Sequence, residues 1–335
     1  MLIRPGYAKY AAGAHDDVLR QWHAASREAG PLCLDLTGIE FFDPYGLCEL
    51  ALFLNHLPPE ARPVHLKFPG WPGNNRLLAP TVSYLTRMDF WPQVKDLLDV
   101  SEDELPVTNL PRRDRNVLLE LTRLTTHDEI STALRKTGEL LQSLGYTAPA
   151  RGHILEVLSE LCSNVLMHAQ SPFGALAAMQ TYRTRGDASA RNESNARSDN
   201  GSSTNGATST GRRYIVIGIG DAGIGVRASL AANSQLVSRM ESDAQALSVA
   251  VQPGASRFST GGHGGGLPRV LEIARRYGGR VTFRSGEGAF LYHGPEKADA
   301  TPKVEGQKRV FEAPFLHGTA LRISLPEAAL RPEAE

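Results

Sequence analysis

Cysteine is scarce in this chain. Cys33, Cys48 and Cys162 are the only three in 335 residues, and none forms a Cys-x-x-Cys pair, which argues against a disulfide framework or a structural zinc site. That usage predicts a reducing, cytoplasmic setting. Long apolar runs are lacking too. Residues 1–30 hold no apolar core of signal-peptide length, and no later stretch reaches the roughly 18 consecutive apolar residues of a membrane span, so no membrane partner is expected. Excess charge of one sign is also missing. With 36 basic against 36 acidic residues, no global field draws the chain to nucleic acid or anionic lipid, although a local basic patch is allowed. What remains is an ordinary globular composition, 41% hydrophobic and 21% charged. At roughly 150 residues per domain the length predicts about two domains.

One segment breaks the globular pattern. Arg183 to Arg213 is built from Ser, Thr, Asn, Gly, Ala and Arg with no aliphatic residue larger than alanine, so it cannot offset its ordering entropy by burial. It is expected to be a disordered insertion. Strand-like runs flank it, Phe173–Tyr182 and Tyr214–Ile219, which predicts an expanded hairpin inside one domain or, alternatively, an interdomain linker. A boundary is expected where prolines and charges interrupt the apolar pattern, at Pro106–Arg115. The predicted organisation is a first domain over 1–105, a linker or lead-in over 106–126, and a second domain over 127–327. The first half reads strand (Pro31–Leu36), helix (Tyr45–Leu57), strand (Val64–Phe68), an order that favours a parallel α/β sheet. The second reads as two helices, His127–Leu144 and His153–Ala169, then strands near 173–182, 214–220, 279–285 and 317–325, with a helix over Leu267–Tyr277. This predicts an α/β sandwich with helices on one face of a mixed sheet.

Four stretches carry chemistry. Glu160 and Asn164 lie four apart on the helix HILEVLSELCSNVLMHAQ, so a carboxylate and an amide share one face about 6 Å apart along the axis and can converge on one ligand. A solvated surface pair is the plain alternative, against which stands the apolar company of Leu158, Leu161, Val165 and Leu166. Gly220-Asp221-Ala-Gly223-Ile-Gly225 follows the YIVIGI strand, where glycines admit a ligand to the backbone and Asp221 can accept from an exocyclic amine. The same stretch holds Gly218-x-Gly220-x-x-Gly223, the dinucleotide pattern, which would need a helix opening at Gly223 and an acid such as Glu241 or Asp243. A tight turn is a third reading. Gly261-Gly262-His263-Gly264-Gly265-Gly266-Leu267 runs into a helix whose free amides would bind an anion, unless it is a plain connector. It lacks the Gly-Lys-Ser/Thr ending of a Walker A loop. His317-Gly318-Thr319 heads the last strand.

In this order the four stretches resemble the ATP-binding domain shared by gyrase, heat-shock chaperones, histidine kinases and MutL. This is the GHKL type with the Bergerat fold, and the nearest branches are the anti-sigma-factor serine kinases and histidine-kinase-like ATPases. The resemblance covers roughly residues 115–327. It implies that Glu160 and Asn164 form the N box, with Asn164 holding Mg²⁺ and Glu160 as general base. It implies that Asp221, Gly223 and Gly225 form the first glycine box, Asp221 binding the adenine amine. Gly264 to Leu267 would form the second glycine box, with Gly264, Gly265 and Gly266 covering the phosphates and Gly262 and His263 also binding the nucleotide, and Thr319 would fall at the terminal Gly-Thr motif. The span Val226–Gly262 would be the ATP lid, with Arg257, Ser259, Thr260 and His263 as phosphate contacts. His168 matches a histidine of this branch and reads equally well as a partly buried structural residue.

The first half, LDLTGIEFFDPYGLCELALFLNHL followed by VHLKFPG and YLTRMDFWPQV, resembles the STAS fold of anti-anti-sigma factors, with its Asp-x-x-Gly turn at Asp43 and Gly46. That family phosphorylates a Ser or Thr inside the turn. Here Pro44 and Tyr45 stand there, which removes the usual acceptor, and Tyr45 is expected to pack at a helix start. His127 lacks the Arg and Pro of a histidine-kinase acceptor motif and is expected to be an N-terminal helix residue.

The expectation is an Mg·ATP-binding regulatory protein of bacterial signalling, either an ATPase or a serine/threonine kinase of the anti-sigma-factor type. The alternative is a non-hydrolysing, ATP-controlled switch whose STAS-like half docks a partner. Its expected partners are ATP and another regulatory protein of the sigma-factor or STAS type, with homodimerisation allowed and no nucleic acid.

Overall fold

The computed structural model describes residues 1–25, 30–71, 79–101, 104–106, 116–183, 212–258, 265–295 and 306–331. The protein is mixed α/β. Its first part runs β1 (Leu2–Ile3), β2 (Lys9–Tyr10), α1 (Ala12–Ala25), β3 (Cys33–Asp35), β4 (Phe41–Phe42), α2 (Pro44–His56), β5 (His65–Lys67), α3 (Pro80–Arg87) and α4 (Trp91–Val94). The sheet β1-β3-β5 is parallel throughout, as the strand-helix-strand order predicts, and β2 pairs with β4 in a second parallel ladder. Helix α2 starts where Asp43 Oδ1 accepts from Gly46 N at 2.8 Å, with Pro44 at the first helical position. Every residue from Pro44 to Leu54 is buried, so this helix has no solvent face and must be covered on all sides. Tyr45, 1% exposed, packs at the helix start as expected.

The second part runs β6 (Val117–Leu124), α5 (His127–Ser143), α6 (Ala148–Asn164), β7 (Ala175–Arg183), β8 (Arg213–Asp221), α7 (Gly225–Leu230), α8 (Ser234–Val237), α9 (Asp243–Ala250), α10 (Gly266–Arg276), β9 (Arg280–His293) and β10 (Gln307–Pro326). Helix α5 opens on a reciprocal cap. Thr126 Oγ1 accepts from Glu129 N at 3.2 Å and Glu129 Oε2 accepts from Thr126 N at 3.0 Å, with His127 as an ordinary first-turn residue. The segment expected as a lead-in over 106–126 contains strand β6.

The sheet order is β6-β7-β8-β10-β9, and each neighbouring pair is antiparallel. This corrects the mixed sheet expected from the order of elements. With two consecutive helices, α5 and α6, between β6 and β7 the chain reverses three times, so β7 runs opposite to β6, whereas a single crossover helix reverses it twice and gives parallel strands. Strands β7 and β8 pair up to Arg183↔Arg213, as an expanded hairpin requires, and residues 184–211 of the expected insertion lie outside the described residues.

Helices also cover both faces of this sheet, where one was expected. Ile215, Ile217 and Ile219 of β8 share a core with α5, α6, α9 and α10. On the other face α2 lies across β7, β8 and β10, and Leu176, Ala178 and Ala320 join the core of the first part. Glycine makes that approach feasible. A Cβ on Gly218 would sit 2.4 Å from Pro44 C and Tyr45 N, and one on Gly220 would sit 2.6 Å from Leu52 Cδ1. The Gly218-x-Gly220 pair therefore serves the packing of α2. The dinucleotide reading fails on topology, because β8 is antiparallel to both neighbours and the following helix α7 opens at Gly225 and has six residues.

Candidate functional site

Helix α6 is capped by Thr147, whose Oγ1 accepts from Ala150 N at 3.3 Å, and its apolar positions Ile154, Val157, Leu158 and Leu161 are buried in the core. That packing turns Glu160 and Asn164, both partly buried, toward a cavity of about 320 Å³. Past Asn164 the helix widens into a π-turn over Val165–Ala169 and ends at Gln170 in the left-handed conformation, φ 50°. A π-turn of this kind re-aims side chains. It brings Met167, His168 and Ala169 to the cavity and presents Ala169 O to Ile224 N at 2.8 Å.

The glycine stretch after β8 completes that junction. A Cβ on Gly223 would lie 2.0 Å from Ala169 O, so only glycine passes there, and Gly225 takes φ 77°, which favours glycine. Gly223 shapes the turn, while Gly225 lines the cavity. Asp221 is 3% exposed. Its Oδ1 accepts from Gly223 N at 2.8 Å, and burial pushes the carboxyl up to about 7 against the opposing hydrogen bonds from Gly223 and Thr319. Thr319 stands directly opposite Asp221 in the β8–β10 ladder, and Gly318, at φ 79°, leaves no room for a Cβ beside Asp221 O.

Helix α10 closes the other side. Gly265, at its cap, and Gly266, Leu267 and Pro268, in its first turn, all line the cavity. A Cβ on Gly266 would sit 2.5 Å from Glu160 Oε2 and 3.4 Å from Asn164 Nδ2, so the helix start is pressed against the Glu–Asn pair. Arg257 lines the rim and donates to Met167 O at 3.5 Å, while His168 lies 5.5 Å, ring to ring, from Phe258. Gly262, His263, Gly264, Ser259 and Thr260 fall outside the described residues.

The cavity is thus polar at one end, with Glu160 and Asn164 facing the α10 start. Its inner wall is apolar around Ile219, Phe283 and Leu321, where Asp221 and Thr319 are the polar groups. Glu160, Asn164, Asp221, Gly225, Gly265, Gly266, Leu267 and Thr319, expected as site residues, all line it. Ser285 of β9 was not foreseen. Its hydroxyl donates to Gly318 O at 2.7 Å and accepts from Val226 N at 2.9 Å, tying two of the glycine turns together. Nothing in the sequence marks a lone strand serine. Only its register with Thr319 does.

A nucleotide with Mg²⁺ fits this donor set. Asn164 offers a side-chain oxygen, α10 offers backbone amides where a side chain at Gly266 would block approach, and Asp221 offers a buried acceptor. Among the described residues no cluster of three or more His, Cys, Asp or Glu could hold a metal. No helix among the described residues is long and apolar enough to cross a membrane. No protein-family model matches the chain, and no curated protein matches it.

Proposed function

We propose that the chain is an ATP-binding protein of the GHKL class, whose second part is a Bergerat-type domain and whose first part is STAS-like. Within that class its closest likeness is to the anti-sigma-factor kinases. One observation carries the reading: residues from four separated stretches, Glu160/Asn164, Asp221/Gly225, Gly265/Gly266 and Thr319, line a single cavity. Under this reading the adenine amine donates to Asp221, Asn164 holds Mg²⁺ and the start of α10 holds phosphate oxygens. Mg²⁺ supplies charge neutralisation at the phosphates when bound. Glu160 is the group that would take a proton from an attacking water or hydroxyl. The partner would be a second regulatory protein, of sigma-factor or STAS type, in bacterial signalling.

The alternative is a switch in which ATP alters a partner surface without turnover being required. Its support is the burial of α2 against the back of the sheet, with Tyr45 and Asp43 both at 1% exposure or less, which leaves the STAS-like turn inaccessible as a phosphoacceptor. Phosphate release by wild type and Glu160→Gln, measured beside partner capture with ATP present, separates the two. A kinase or ATPase loses turnover and output together. A switch keeps its partner response when turnover is gone.

A further inference from the structure

A second cavity, of about 150 Å³, lies between α1, α2 and the middle of β10, and the proposed nucleotide site does not use it. Ala222 lines it, while the preceding Asp221 lines the larger cavity, so the two spaces meet across the end of β8. Its floor holds two ionisable side chains, His15 at 1% and Glu49 at 2% exposure.

The Glu49 carboxyl is poorly supplied with donors. His15 Nε2 stands 3.4 Å from Glu49 Oε2 and makes no hydrogen bond, while His15 Nδ1 is engaged with Tyr10 Oη at 3.2 Å. The nearby Arg284 guanidinium is committed elsewhere: Nε donates to Gly288 O at 3.2 Å, Nη2 to Pro314 O at 2.6 Å, and Nη1 pairs with Asp16. A buried carboxyl without donors costs free energy, and a cavity at its edge is where a ligand could supply them.

The walls indicate the ligand's charge. Trp22, Phe53 and Phe315 present aromatic rings, and the His56 and His317 rings meet at a tilt of 55° with centres 3.5 Å apart. Burial holds His15 down at about 3, and burial with the neighbouring His317 lowers His56, so both imidazoles are neutral at pH 7. Among the described lining residues none is Lys or Arg. No lining side chain carries a fixed positive charge for an anion. A cation finds a carboxyl and aromatic faces.

We propose that this cavity binds a small organic ammonium ion with a short apolar part, its ammonium group on Glu49 and its carbon chain among Trp22, Phe53 and Phe315. Burial pushes the Glu49 carboxyl well above the usual range, with Arg284 opposing and Asp221 and Asp16 raising it further. A bound cation favours the carboxylate form, so any proton Glu49 carries passes to buffer. The proposal does not depend on the nucleotide reading.

The test uses the full chain and the series methylammonium to butylammonium, with sodium chloride as the ionic-strength control. Calorimetry in two buffers of different ionisation enthalpy reads affinity and proton release. Trp22 fluorescence reports occupancy, since Trp22 lines the cavity whereas Trp71 and Trp91, at 5% and 4% exposure, do not. Saturable binding is expected, with net proton release, at least a tenfold loss in Glu49→Gln and a several-fold loss in Phe315→Ala. Phe315 is 46% exposed, so its truncation leaves folding intact. Asn164→Ala should bind the amine unchanged. Three results overturn the proposal: no saturable binding of any amine, equal affinity in Glu49→Gln and Phe315→Ala, or loss in Asn164→Ala alone, which would put the amine in the larger cavity.

Discussion

Arg322 Nε donates to Asp43 Oδ2 at 2.8 Å, and the same guanidinium donates through Nη2 to Tyr182 Oη at 2.6 Å. The pair joins the capping residue of α2 to the strand that also carries Thr319, three residues away. Asp43 is fully buried and also caps the helix, so one carboxylate serves both parts of the molecule.

Removing that carboxylate leaves the partly buried Arg322 without its counter-charge. Asp43→Ala is therefore expected to lower unfolding free energy by ~3–5 kcal/mol, with roughly 1 kcal/mol more from the lost cap. Urea denaturation measures it. A change under ~1 kcal/mol would mean that the two parts are not held together through this pair.

Gly218→Val tests the contact of α2 with β8 from the other side. The added Cβ would meet Pro44 and Tyr45 backbone atoms at 2.4 Å, and backbone cannot turn aside as a side chain can. Overpacking at such a site costs ~1–3 kcal/mol or more. The expected result is a lower thermal midpoint and fluorescence evidence that α2 has moved. A variant as stable as wild type would contradict the packing.

Much of this was legible in the sequence, and what was not has physical causes. The parallel first sheet followed from strand-helix-strand order, and the stretches that line the larger cavity from helix spacing, glycine clusters and their resemblance, in order, to a known ATP-binding domain. Strand β6 escaped because Val117–Leu124 lies directly behind a proline-rich stretch. The role of Gly218 escaped because a glycine that admits a helix and one that admits a phosphate look alike in sequence. Only the third dimension tells them apart: Gly266 meets Glu160, Gly218 meets the α2 backbone. The π-turn after Asn164 left no sequence signal either, since Val165–Ala169 continues the apolar pattern of α6.

Asp221 should couple stability and affinity to pH in opposite directions. Its folded-state carboxyl titrates at about 7 against 3.8 unfolded, so between those values the native state binds more protons and loses stability as pH rises. The loss is complete above the folded value and amounts to ~4 kcal/mol at most. Asp221→Asn, which keeps an acceptor for Gly223 N without the charge, is expected to be more stable than wild type at pH 8 and about equal at pH 4. Under the proposed function, wild-type nucleotide affinity should rise from pH 6 to pH 8 as the acceptor ionises. Thermal melts and binding at the three pH values check both, and a flat profile would contradict the buried-acid assignment.

Gly266→Ala should separate stability from chemistry. The new methyl meets Glu160 Oε2 at 2.5 Å, the far end of a flexible side chain, so Glu160 moves and the fold does not. Unfolding free energy is expected to stay within ~1 kcal/mol, while any ATP turnover falls as far as in Glu160→Gln. Turnover equal to wild type would remove Glu160 from the proton-transfer role.

The most direct test is calorimetric titration of the full chain with a non-hydrolysable ATP analogue and Mg²⁺, beside Asn164→Ala and Asp221→Ala. The account predicts micromolar binding by wild type and a loss of ~1–3 kcal/mol in each variant, roughly five- to 150-fold. Absence of wild-type binding, or binding that both variants retain in full, would contradict it.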